Sequence, residues 1–87
     1  MLVFDYGERR HVILDVYSCK KEDFNIQSAS YEFYDGQGQL EDSGVCSIYE
    51  HQIDTVVEPK KRGRYKLKIT YSILDEILIE LIGIAVM

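Results

Sequence analysis

Tyr65-Lys66-Leu67-Lys68-Ile69-Thr70-Tyr71-Ser72-Ile73-Leu74-Asp75-Glu76-Ile77-Leu78-Ile79-Glu80-Leu81-Ile82 is the stretch whose reading decides the fold of this chain. Tyr65, Leu67, Ile69 and Tyr71 alternate with Lys66, Lys68 and Thr70, and Ile77, Ile79 and Leu81 alternate with Leu78, Glu80 and Ile82. Period two marks a strand with one buried face, and two such runs in succession read as a hairpin. A three-residue loop of Ile73, Leu74 and Asp75 sets Tyr71 across from Ile77, Ile69 from Ile79, Leu67 from Leu81 and Lys68 from Glu80. A two-residue loop puts Ile69 or Leu67 across from Glu80 instead. Because a one-residue slip exchanges the two faces of a strand, the expected register is the one with the odd-length loop. Asp75 tolerates the left-handed conformation such a loop needs. The Lys68–Glu80 pair is then worth about 0.2–1 kcal/mol and serves mainly to mark the register. A helix over Glu76–Met87 is disfavoured by Gly83, by the missing cap and by five β-branched residues.

Working outward, the same alternation recurs in short blocks. Leu2–Tyr6 reads as a strand ended at Gly7, and His11–Tyr17 as a second with Val12, Leu14 and Val16 inward. Ser18–Ser28 lacks the alternation and reads as a long connection with at most one helical turn, Phe24 and Ile26 plugging one end of the core. Ala29–Tyr34 resumes the pattern, with Ala29, Tyr31 and Phe33 inward. Asp35–Gly44 is turn-rich, with room for a short edge strand at Gln39–Glu41. Val45–Glu50 and Ile53–Glu58 are two more strands, and Pro59 ends the second because proline cannot donate to a ladder. The expectation is one all-β domain over residues 1–87, six or seven antiparallel strands in a two-sheet sandwich.

Composition agrees. Eighty-seven residues make one domain that buries roughly 60–65% of its unfolded surface, which leaves little room for an elaborate enclosed active site. Seven Tyr, three Phe and a single Pro favour strands over disorder. The segment MLVFDYGERR meets Asp5 after four apolar residues and is not read as a secretory signal. Ile77–Met87 is interrupted by Glu80 and falls short of the ~20 residues that span a bilayer. A cytoplasmic location or incorporation in a particle is expected, with no membrane partner. Cys19 and Cys46 are expected as reduced thiols.

Charge is unevenly placed. The net charge is −5, yet six of the ten basic residues lie between Lys60 and Lys68. Lys60, Lys61, Arg62, Arg64, Lys66 and Lys68 form a strip able to meet phosphates or an acidic surface. As an alternative it is a solvated face that protects an exposed strand from aggregation. The acidic remainder, and the lack of aromatic residues interleaved on that face, weigh against nucleic acid.

No constellation demands catalysis. His11, His51, Cys19 and Cys46 form no chelating step, so no metal is expected. Asp35, Glu41 and Asp42 surround the Gly36–Gly38 turn without the ligand spacing of a calcium loop. Gly36-Gln37-Gly38 has no following Gly-Lys-Ser/Thr and no helix to cradle a phosphate. There is no nucleophile elbow, and pairing Ser47 or Ser72 with His11 or His51 would be arbitrary. No cofactor and no small-molecule substrate is expected.

Lys61-Arg62-Gly63-Arg64-Tyr65-Lys66-Leu67 resembles the tyrosine corner of immunoglobulin-like sandwiches, a Gly-x-Tyr-x-apolar step before the penultimate strand. The resemblance implies that the Tyr65 hydroxyl bonds back to upstream backbone and locks the corner. The chain lacks the Trp of antibody-type domains, and Leu67 stands where their second cysteine would be. The run Ala29-x-Tyr31, Asp35-x-x-Gly38, Gly63-x-Tyr65-x-Leu67 and Asp75-Glu76 is similar to small sandwich domains of phage and prophage structural modules. That resemblance implies a non-enzymatic structural or interaction module with a protein partner or self-association. Leu78, Ile82, Ile84 and Val86 are the candidate contacts, because both faces of the last strand are apolar. The alternative is an OB-type nucleic-acid-binding barrel using residues 60–68.

Overall fold

The computed structural model describes residues 1–17 and 24–87. Eight strands run in chain order: β1 (Leu2–Phe4), β2 (Arg10–Asp15), β3 (Ile26–Tyr34), β4 (Leu40–Val45), β5 (Ser47–Tyr49), β6 (Gln52–Val57), β7 (Gly63–Ile73) and β8 (Glu76–Val86). They form two open sheets, a five-stranded one ordered β1-β8-β7-β3-β4 and a three-stranded one ordered β2-β6-β5. No helix occurs among the described residues, and the described strands do not close into the five-stranded barrel that an OB-type fold requires. The helical turn considered for Ser18–Ser28 falls largely on residues 18–23, outside those described. From Ile26 that segment is already strand.

The core lies between the two layers. Tyr65, Leu67, Ile69 and Tyr71 of β7 meet Ile53, Thr55 and Val57 of β6, with Val12, Ala29, Phe33, Ile84 and Val86 around them, all buried. Each set follows the period-two alternation, so the inward faces of β2, β3, β6 and β7 are those the sequence pattern implies. Ile26 is buried and Phe24 packs against the core at one end, stacked on His51 with ring centroids 4.1 Å apart.

Three expectations are corrected. Eight strands form, not six or seven antiparallel ones, because the turn-rich segment yields a full edge strand, and β1 pairs with β8 in parallel. Val45–Glu50 is not one strand. Val45 ends β4 in the larger sheet and Ser47 begins β5 in the smaller. The chain changes sheets at buried Cys46, whose N–H donates to the Ala29 carbonyl at 2.9 Å while its thiol lies 3.2 Å from the Thr55 hydroxyl. An alternating pattern runs through that corner without a break, since the inward position is filled on both sides of it. The turn-rich Asp35–Gly44 segment also gives a longer edge strand, Leu40–Val45, than the one expected at Gln39–Glu41.

The closing hairpin has a two-residue loop, Leu74 and Asp75, with Ile73 opposite Glu76. Lys68 therefore faces Leu81 and not Glu80, Ile69 faces Glu80, and Leu67 faces Ile82. The loop geometry decides this. Leu74 adopts φ 55°, the positive angle at a first loop position that matches the right-handed strand twist in tight hairpins. The β5–β6 hairpin repeats the device with Glu50 at φ 54°. The even-numbered residues of β8 consequently turn inward. Glu80 shares the inner face with Ile69 yet is exposed, because a three-stranded layer leaves the rim of a five-stranded one uncovered. At about 36 Å, β7 and β8 run nearly the full 41 Å length of the molecule.

Candidate interaction surface

Pro59 ends the chain's run through the smaller sheet, and the corner from Lys60 to Gly63 carries it to β7. Gly63 has φ 119°, a conformation that side chains disfavour, and from it the chain enters β7 with Tyr65 inward. The Tyr65 hydroxyl accepts the Lys61 N–H at 3.2 Å, the upstream-backbone contact that the sequence resemblance implies, and donates to Glu41 Oε1 at 2.7 Å. Glu41 Oε2 in turn accepts the Lys60 N–H at 3.3 Å. The ring stacks on Phe33 at 4.6 Å. Burial first, and then the bond to Glu41, push the phenol up to about 12.

The basic strip does not form one patch. Lys61 Nζ lies 3.1 Å from Asp35 Oδ2, the Arg62 guanidinium sits 4.4 Å above the Tyr6 ring, and Lys68 Nζ is 3.7 Å from Glu32 Oε1. Lys60 is exposed at the corner. Arg64 and Lys66 are exposed on the outer face of β7, Lys66 flanked by Tyr34 of β3 and Gly83 of β8. Met1, Tyr34, Gly36, Arg64, Lys66 and Gly83 line a shallow cleft of about 530 Å³ there. Gly36 permits this packing, since a Cβ at that position would stand 3.0 Å from the Arg64 carbonyl oxygen.

The acidic residues near the turn are each held by protein donors. Asp35 Oδ1 accepts the N–H groups of Gln37 and Gln39 at 2.9 and 3.0 Å. These backbone bonds, with Lys61 beside it, hold its carboxyl below the usual range. Asp42 accepts the Tyr31 hydroxyl at 2.9 Å. No group of three metal-ligating side chains gathers among the described residues.

His11 Nδ1 lies 2.8 Å from Asp54 Oδ1, at a cleft of about 370 Å³ that Ser47 also lines. The sequence pattern placed His11 outward but could not pair it with Asp54, which is 43 residues away. In the strand order β2-β6-β5, Asp54 is in register with Ile13 of β2 and Ser47 of β5, while His11 pairs with Val56, so the backbones of His11 and Ser47 stand at least two strand spacings apart, about 9.6 Å. Ser72 bonds Ser28 at 2.7 Å, on the larger sheet.

The outer face of β8 is an apolar exposed surface. Ile77, Ile79 and Leu81 are 75%, 55% and 58% exposed and lie in one row beside the outer face of β7. The contacts expected from sequence, Leu78, Ile82, Ile84 and Val86, point the other way. Ile84 and Val86 are 0% and 3% exposed, and Leu78 and Ile82 pack half-buried against the core. The one-residue change of register exchanges the two sets. Among the described residues no strand pairs with the first half of β8 on its far side: β1 is three residues long and pairs only with Ile84–Val86.

Comparison with family models, with characterised proteins and with solved structures returns no match.

Proposed function

We propose that this chain is a non-enzymatic interaction module, an immunoglobulin-like sandwich of the kind that serves as an accessory domain in phage or prophage particles. The observation that carries the interaction reading is the exposed row Ile77, Ile79 and Leu81 on the first half of β8, whose far edge has no partner among the described strands until β1 joins it at Ile84. A long apolar edge strand left open is a template for another chain, and a large exposed apolar patch on a small domain marks a contact site. Strand order supports the immunoglobulin-like part. With β2, β3, β5, β6, β7 and β8 lettered B, C, D, E, F and G, the layers are G-F-C and B-E-D. Then β4 is the strand that variable-type domains add beside C, and β1 pairs with G instead of B. The Tyr65 corner opening strand F adds to it.

The test is affinity purification of the wild type and of Ile79→Lys at matched folded amounts. Virion proteins held by the wild type and released by the variant are expected. A wild type that is monomeric and holds nothing overturns the reading.

The second reading, nucleic-acid binding, draws on Arg64 and Lys66 beside Tyr34 in the shallow cleft, a cation-and-aromatic pairing suited to single strands. Fluorescence anisotropy with labelled single-stranded DNA and RNA tests it. Binding at about 50 mM salt that weakens steeply as salt rises, and is lost in a Lys66→Glu variant, supports it, and no binding at that salt removes it.

A further inference from the structure

We propose that two copies of this chain pair antiparallel through the open edge of β8, on a two-fold axis beside Ile79. The proposal rests on the reading of β8 as an interaction surface and names its partner.

The backbone points the right way. Met87 donates its N–H to the Phe4 carbonyl at 2.9 Å and accepts the Tyr6 N–H at 3.1 Å, so its polar groups face β1. Alternate residues of a strand share that direction. The N–H and C=O groups of Ile77, Ile79 and Leu81 therefore aim at the open edge beyond the end of β1, where no described strand pairs with them. The other edges are less suited to pairing. β1 and β5 are three residues long, β2 carries Arg10, His11 and Asp15, and β4 carries Glu41 and Asp42.

Charge then selects the partner and the register. In a two-fold antiparallel pair, outward side chains must meet outward side chains. Centred on Ile79, Ile77 meets Leu81 of the second copy, Ile79 meets its own mate, Leu78 meets Glu80, and Glu76 meets Ile82. Moving the centre by one residue in either direction sets Glu80 against Glu80 or against Glu76, and directly opposed like charges are destabilising. The Ile79 register also spans Glu76–Ile82, stopping before β1 begins at Ile84. Both copies' Ile77, Ile79 and Leu81 form one apolar patch on the outer face, flanked on either side by Lys68, Thr70 and Ser72 of β7. An apolar centre with a polar rim is the usual anatomy of a protein interface. The interface is isologous, so it closes at two copies.

Sedimentation equilibrium should show a dimer with a dissociation constant of roughly 1–100 µM. Ile79→Pro should weaken it by at least about 100-fold, because it deletes an N–H on the open edge while the β7 ladder keeps its donors. Ile79→Lys, which keeps the N–H and removes apolar contact, should do the same, and melting curves report whether each variant folds. In a Cys19→Ser background, Ile79→Cys should oxidise to a disulfide dimer, since facing Cα atoms in a hydrogen-bonded pair stand about 5.5 Å apart. Ile77→Cys and Leu81→Cys alone, each displaced from the axis, should not. Val45→Lys on the β4 edge should leave the dimer intact. A monomer at about 1 mM, a dimer surviving in folded Ile79→Lys, or crosslinking at Ile77 alone overturns self-pairing. A monomer that still holds other proteins through Ile79 overturns self-pairing and leaves the interaction surface standing.

Discussion

The Tyr65 hydroxyl donates to Glu41 at 2.7 Å while accepting the Lys61 N–H, so one phenol joins the corner before β7 to the edge strand β4. Tyr65→Phe keeps the ring stacked on Phe33 and removes both bonds. A loss of about 1–2 kcal/mol is expected, lowering the melting temperature by roughly 4–15 °C.

The same phenol sets an alkaline limit. Its folded value of about 12 lies above the ordinary value of 10.0, so the folded state holds its proton more tightly than the unfolded state. The stability it contributes is full below the unfolded value and is lost as pH rises through that window. Denaturation midpoints of the wild type should fall across the window, and those of Tyr65→Phe should fall less. Equal slopes would show that Tyr65 does not couple folding to this titration.

Asp35 works at the other end of the scale. Its lowered pKa means that its contribution is present above the unfolded carboxylate range and is lost as pH falls through the folded value. Urea midpoints should drop for the wild type on acidification below about pH 4. Asp35→Asn should be less stable at neutral pH and flatter in the acid range.

Leu74 holds a left-handed φ of 55° while largely exposed. Leu74→Asn should stabilise the hairpin by about 0.5–1 kcal/mol, and Leu74→Val should destabilise it, because a β-branched side chain resists that conformation. Thermal melts of the two variants should move in opposite directions.

The hairpin register predicts which acid Lys68 feels. A double-mutant cycle of Lys68→Ala with Glu32→Ala should give a coupling of about 0.2–1 kcal/mol. The cycle with Glu80→Ala should give none, since Lys68 projects outward and Glu80 inward.

Much of the fold was legible because alternation is local. The inward faces at Val12 and Val16, at Ala29 and Phe33, and at Tyr65–Tyr71 follow from each segment's own pattern, and so did the corner at Gly63 and Tyr65. The candidate surface was legible only as a location. Of the basic strip, Arg64, Lys66 and Lys68 lie beside the apolar last strand, but which face of β8 is exposed was not readable. Both faces of Ile77–Ile82 are mostly apolar, so hydrophobicity does not choose between registers. The parity of the loop does, and neither Leu74 nor Glu50 is a residue whose type announces a positive φ.

The sequence by itself determined an all-β chain, the inward residues of most strands, and a tyrosine-centred corner, since these depend on side chains only a few positions apart. The tertiary structure alone decided the crossing between sheets at Cys46, the pairing of His11 with Asp54, the dispersal of the basic strip onto Asp35, Tyr6 and Glu32, and the outward row of Ile77, Ile79 and Leu81. Each of these turns on which strands lie next to one another and in what register. That is set by hydrogen-bonded ladders and loop geometry between residues remote in the chain, on which a local pattern of alternation is silent.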